Sequence, residues 1–223
     1  MLLDRFLDPA TPSLKICGVT RADDAVRLAD LGVDALGVNF WSRSKRYCPP
    51  ETAAGFLPSL VGRILRVGVF VNAGPDLPRD LLERGLVDLA QFHGDETPDY
   101  CAAFSGRPFL KAIGVGSPAD LDRAMEFGAR GLLLDAHAPG AYGGTGRSLD
   151  WGVAASFVAG HPGFPVVLAG GITPANAAEA LATVRPAALD VASGAESAPG
   201  LKDFAKVTDL IEALRQGMPG HGE

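Results

Sequence analysis

Cys17 and Asp135 are the residues of this sequence best placed to move protons. Cys17 closes the apolar run Leu14-Lys15-Ile16-Cys17, and Asp135 follows Leu132-Leu133-Leu134. A carboxyl group at the end of a buried strand is costly unless it is paired or used. Asp135 therefore reads as a general acid or as the anchor of the loop that follows it. Cys17 reads as a thiolate base or nucleophile, which needs a nearby cation or helix N-terminus to ionise at neutral pH. The alternative is a small buried hydrophobe, a common fate of free cysteine. Arg46 lies in the charge run Ser42-Arg43-Ser44-Lys45-Arg46-Tyr47. It is part of a solvated face, or it grips a carboxylate with two hydrogen bonds. Gln91 suggests hydrogen bonding, and His93 reads as an acid–base group or a neutral loop anchor.

These residues all fall just after short apolar runs, and the runs alternate with segments of helical spacing. The strand-like runs are Leu14–Cys17, Ala35–Phe40, Ile64–Val71, Leu89–Phe92, Phe109–Ile113, Gly131–Leu134, Pro165–Ala169 and Ala188–Val191. Helical segments are expected at Arg21–Leu31, Glu51–Leu60, Leu77–Arg84, from Pro98, Pro118–Gly128, Asp150–Ala159, Thr173–Thr183 and Asp203–Leu214. Nearly continuous apolar strands belong to parallel sheets covered on both faces. About eight strand–helix units imply an α/β fold, a single-domain (β/α)8 TIM barrel over residues 14–216. A doubly wound open sheet is the alternative architecture. Residues 1–13 read as an N-terminal extension and 217–223 as a C-terminal tail.

In a barrel, active sites form at the C-terminal strand ends, and phosphate is often held after the seventh and eighth strands. Gly170-Gly171 and Ser193-Gly194 fall there. Each pair alone is ordinary turn chemistry; together they suggest backbone N–H groups brought close to an anion. The long glycine-rich loop His137–Arg147 reads as a lid, with Gly144 and Gly146 as candidate substrate contacts.

Bulk composition narrows the partners. The formal net charge of −6 disfavours nucleic acid. No run approaches 18 apolar residues, so no transmembrane helix and no membrane partner is expected. The N-terminus lacks the basic start of a signal peptide. Cys17, Cys48 and Cys101 show no metal-binding spacing, so no metal is expected, and they suit a reducing, cytoplasmic compartment.

A series of motifs then resembles the phosphoribosylanthranilate isomerase family: KICG at Lys15–Gly18, GVNFWSRSKRY at Gly37–Tyr47, RVGVFVN at Arg66–Asn72 and QFHGDE at Gln91–Glu96. LLLDA at Leu132–Ala136, YGGTGRSLDW at Tyr142–Trp151, LAGGITPAN at Leu168–Asn176, and LDVASGAE with GLKD at Leu189–Asp203 complete it. They span nearly the whole chain after residue 13. The resemblance implies an Amadori rearrangement of a phosphosugar–anthranilate adduct in tryptophan biosynthesis, with no cofactor. It implies Asp135 as general acid, Cys17 as general base and Arg46 at the anthranilate. Gly171 and Ser193-Gly194 would then cradle the phosphate. The family includes monomers and dimers, so a monomer or homodimer is expected. Ala192, Ala195 and Phe92 depart from the family's more usual Ser, Val and Leu. A related aminoaldose isomerase would end its first strand in Asp, where this chain has Cys17.

Overall fold

The computed structural model describes residues 1–136 and 149–217. Eight parallel strands close into a barrel in sequence order. They are β1 (Ser13–Cys17), β2 (Ala35–Asn39), β3 (Leu65–Phe70), β4 (Leu89–Phe92), β5 (Phe109–Val115), β6 (Gly131–Ala136), β7 (Val166–Leu168) and β8 (Ala188–Val191). β8 returns to β1, with Ser13 opposite Ala188 and Lys15 opposite Asp190. Closure excludes the open doubly wound sheet.

Alternation along each strand divides the apolar residues into two cores. Leu14, Ile16, Leu36, Val38, Leu132 and Leu134 point outward and pack beneath the helices. Ala35, Leu65, Val67, Leu89, Leu110, Leu133, Val167 and Ala188 fill the barrel. Burial on both faces explains why these strands read as unbroken apolar runs.

The helical layer comprises α2 (Ala22–Asp30), α3 (Pro50–Ala54), α4 (Asp76–Glu83), α5 (Pro98–Ala102), α6 (Trp151–Gly160), α7 (Ala177–Val184) and α8 (Phe204–Gly217). Thr97 and Asp150 cap α5 and α6 by accepting the N–H groups of Tyr100 and Gly152. Two expected helices are shorter than their spacing suggests. Glu51–Leu60 divides into α3 and a 3-10 turn at Leu57–Leu60, because Gly55 and Pro58 interrupt it. Pro118–Gly128 folds as two 3-10 turns, Pro118–Leu121 and Ala124–Phe127. Its inward residues Leu121, Ala124 and Phe127 recur every third position, the period of a 3-10 helix.

Residues 1–13 contain α1 (Leu2–Phe6), and Phe6 and Leu7 join the core inside the barrel, at the end opposite the candidate site residues. Arg5 pairs with Asp34 at 2.7 Å and Asp4 with Arg130 at 3.4 Å. Beyond β8, a short hairpin of β9 (Glu196–Ala198) and β10 (Leu201–Lys202) leads into α8. None of the helices among the described residues is long and apolar enough to cross a membrane. The tail after Gly217 lies outside the described residues.

Candidate active site

Strand parity explains which side chains meet at the barrel mouth. Leu133 points inward, so Asp135, two residues on, does too; Leu89 places Gln91 and His93 in the same way. Ile16 points outward, which turns Lys15 and Cys17 inward. Cys17, Arg46, His93, Asp135, Gly170, Gly171 and Ser193 line one cavity, together with Asn39, Ser44, Asp190 and Ala192. Gln91 is fully buried and reaches the site through His93, its Nε2 lying 2.8 Å from His93 Nδ1. Gly194 stands behind the cavity wall, where a Cβ would overlap the carbonyl oxygen of Ile172. Gly144 and Gly146 lie outside the described residues, as does the lid reading of their loop.

Asp135 is nearly buried. Its Oδ1 accepts the N–H of Ala136 at 2.8 Å, and its Oδ2 lies 3.3 Å from His93 Nε2. The glycine pair after β7 has φ values of +83° and +72° at Gly170 and Gly171, a region where a side chain is strained. A Cβ on Gly170 would also lie 2.8 Å from Ala136 N and 3.0 Å from Asp135 Oδ1, so this turn packs directly on the carboxyl group. Asn176 braces it: Thr173 N–H donates to the Asn176 side chain at 2.8 Å, and Asn176 donates to the Gly171 carbonyl at 3.0 Å.

Arg46 reaches the mouth because the loop after β2 doubles back. Cys48 N–H donates to the Asn39 carbonyl at 2.9 Å, and Tyr47 bridges Asn39. The guanidinium is held by Glu196, with Nε 2.9 Å from Oε1 and Nη2 2.7 Å from Oε2. Lys202 donates to the same carboxylate at 2.7 Å and to the Cys17 carbonyl at 2.5 Å. Burial opposes the charge of Glu196, but Arg46 and Lys202 outweigh it and lower its pKa. Burial also lowers the pKa of Lys202, with Glu196 opposing. One carboxylate between two cations leaves this corner net positive, as binding a carboxylate or phosphate requires.

Under the mouth, Lys15 is wholly buried and donates to Asp190 Oδ1 at 2.8 Å. Burial works against its charge, yet Asp190 and the Cys17 sulfur raise its pKa. The Cys17 thiol is pushed up by burial and by Asp190, while Lys15 and Lys202 pull it down; the net shift is upward. Asp190 and Lys202 are contributors that motif reading did not single out, and Glu196, a polar residue following the eighth strand, was given no role by it. Asp190 had a usable signal, a carboxyl two residues after the inward Ala188; Glu196 and Lys202 sit on strands too short to show any period.

A thiol and a carboxyl group offered to one mouth by strands that are not neighbours place the chain among the barrel enzymes that work by acid–base chemistry. The profile described as N-(5'phosphoribosyl)anthranilate (PRA) isomerase matches residues 14–213, and the chain belongs to that family. The N-(5'-phosphoribosyl)anthranilate isomerase of Trichlorobacter lovleyi is 43% identical over 206 residues, 92% of this chain and 98% of its own. The crystal structure of phosphoribosyl anthranilate isomerase from Thermotoga maritima superposes with a TM-score of 0.83 at 36% identity, covering 92% of this chain and 99% of that one. A further phosphoribosyl anthranilate isomerase structure, in complex with reduced 1-(o-carboxyphenylamino)-1-deoxyribulose 5-phosphate, matches with a TM-score of 0.80 at 33% identity over 92% and 99% of the two chains.

Proposed function

We propose that Cys17 is the base and Asp135 the acid of the reaction this chain catalyses, the isomerisation of N-(5'-phosphoribosyl)anthranilate to 1-(2-carboxyphenylamino)-1-deoxyribulose 5-phosphate in tryptophan biosynthesis. The observation that carries the assignment is that both groups line one cavity, with Asp135 hydrogen-bonded in place beside Gly170.

Asp135 gives a proton to the ribose ring oxygen. The bond from that oxygen to C1′ breaks, and the anthranilate nitrogen supplies its lone pair to form a protonated Schiff base. Cys17 as thiolate takes the C2′ proton, and the C2′–H electron pair becomes the C1′–C2′ double bond of an enolamine. Protonation at C1′ and loss of the C2′ hydroxyl proton give the ketone. The net change is a shift of hydrogen between adjacent carbons, so no electrons leave the substrate.

Arg46 accommodates the anthranilate carboxylate, His93 meets the substrate beside Asp135, and Gln91 acts on it through His93. Gly170, Gly171, Ser193 and Gly194 form the phosphate wall after β7 and β8. Binding energy from the phosphate, remote from the reacting carbons, serves to hold them in place. The dimeric phosphoribosylanthranilate isomerase of Thermotoga maritima is also found as generated monomers, which supports a monomer or a homodimer for this chain. The free thiols of Cys17, Cys48 and Cys101 support a reducing, cytoplasmic setting.

The test is steady-state isomerisation of freshly made substrate by wild type, Cys17→Ala and Asp135→Ala, with folding checked by circular dichroism. Loss of an acid or base costs about 10²–10⁴ in rate, so each variant is expected to fall at least about a hundredfold. Full activity in either folded variant removes that residue from its role.

A further inference from the structure

Lys15 and Cys17 occupy successive inward positions of β1, and both crowd the same point. A Cβ at position 37, on the neighbouring β2, would lie 3.0 Å from Lys15 Nζ and 2.9 Å from Cys17 Sγ. Only glycine leaves the ammonium and the sulfur this space. Lys15 is fully buried, and its partner Asp190 is 8% exposed and lines the cavity. A buried ion pair adds little to stability over apolar packing of the same shape. Its location directly under a nucleophilic atom suggests a different use.

We propose that the Lys15–Asp190 ion pair is a positioning device that sets the charge state of Cys17, with Lys15 favouring the thiolate and Asp190 restraining it. This rests on the reading of Cys17 as the base. A thiol in a buried site resists ionisation, and a cation beside it is the ordinary remedy. Burial works against the charge of Lys15; Asp190 and the Cys17 thiolate both favour it, so the two compete for one ammonium, and Asp190 opposes the thiolate. The other charges facing the thiol are Lys202 from β10 and Arg46 from the loop after β2, both neutralised in part by Glu196. Lys15 is the cation whose side chain shares an inward strand face with the sulfur. When Cys17 takes the substrate proton, its negative charge is lost beside Lys15, and Asp190 remains to balance the ammonium.

The experiment is the rate of Cys17 alkylation by iodoacetamide at pH 8, mapped by mass spectrometry on the intact enzyme without substrate. Cys48 and Cys101, buried and pushed up to about 11, serve as slow internal references. Lys15→Met is expected to slow Cys17 labelling at least about tenfold, and the near-isosteric Asp190→Asn to accelerate it at least about tenfold, a change of one pH unit in ionisation. A purely structural pair would move both variants in the same direction, and that result overturns the proposal, as does an unchanged rate in Asp190→Asn. Lys15→Met leaves a buried unpaired carboxylate and can fail to fold. The double variant Lys15→Met/Asp190→Asn carries neither charge and is expected to label more slowly than Asp190→Asn. Equal rates in those two proteins show that Lys15 does nothing for the thiol. Labelling needs no turnover, so this outcome stands apart from whether Cys17→Ala is inactive.

Discussion

His93 presents Nε2 to Asp135 Oδ2 at 3.3 Å. Its other ring nitrogen meets the Gln91 amide at 2.8 Å, and Gln91 Oε1 is buried without a partner among the described residues. The amide can turn either its donor or its acceptor toward Nδ1, and the two choices set opposite tautomers of the ring. One tautomer donates to the Asp135 carboxylate; the other accepts from the protonated acid. Gln91 and His93 thus form a chain able to follow Asp135 as it gives up and regains a proton.

The first prediction follows from that chain. His93→Ala is expected to lower kcat about ten- to a hundredfold, less than the loss of the acid itself, with a small effect on KM. Gln91→Leu should produce a smaller fall of the same kind. Steady-state kinetics separate the roles: a rise in KM with kcat unchanged would make His93 a substrate-binding residue and not a partner of the acid.

The second prediction concerns pH. Burial raises the Cys17 thiol above its ordinary value, so near neutrality only a small fraction is thiolate. The thiolate is the species that alkylates, so labelling of Cys17 by iodoacetamide is expected to climb as pH rises from 7, by up to about tenfold per unit, past the usual thiol value of about 8.5. A profile that is already flat at pH 7 would mean that Lys15 and Lys202 outweigh burial in the folded enzyme.

How much of this was legible beforehand depends on the range of the signal. The barrel was legible because strands buried on both faces leave runs such as Leu132-Leu133-Leu134, and Cys17 and Asp135 stood out as polar residues ending such runs. The contact of His93 with Asp135 joins residues from β4 and β6, and no local pattern carries it. Lys15 was readable as an inward neighbour of Cys17 by period two, yet its partner Asp190 lies on the far end of the chain. The hairpin bearing Glu196 and Lys202 has strands of three and two residues, below the length at which alternation means anything. Pro118–Gly128 carried apolar residues at a spacing of three, which a search for helical stripes absorbs as an α-helix.

The third prediction addresses the cluster at the mouth. Glu196 holds both Arg46 and Lys202, with its side chain 3% exposed. Removing one member of a buried ion pair costs roughly 3–5 kcal/mol, so Glu196→Gln should lower the urea midpoint at neutral pH and raise KM as Arg46 loses its brace. The sign with pH follows from the lowered pKa of Glu196. Its contribution is present above the unfolded value of about 4.3 and fades as pH falls through the lower folded value. The stability gap between wild type and Glu196→Gln is therefore expected to narrow below about pH 4.3. A gap that stays constant down to acid unfolding would mean the carboxylate is not what the cations need.

The fourth prediction concerns α1, which precedes the residues matched by the family profile. Phe6 is fully buried and shares the inner core with Leu65, Leu89 and Leu133, so it closes the end of the barrel opposite the site. Truncating a buried Phe costs about 3–5 kcal/mol, and for a chain of this size each kcal/mol shifts Tm by roughly 2–4 °C. Phe6→Ala should thus lower Tm by roughly 6–20 °C, while kcat and KM at 25 °C stay near wild type because β1 to β8 keep the mouth in place. Deleting residues 1–12 removes Phe6 and Leu7 together, along with the Arg5–Asp34 and Asp4–Arg130 pairs. It is expected to exceed the single substitution and to expose the lower ring of leucines, read as increased binding of a hydrophobic dye. An unchanged Tm in both proteins would show that the inner core closes without α1; a lowered kcat in folded Phe6→Ala would show that the plug is felt at the mouth.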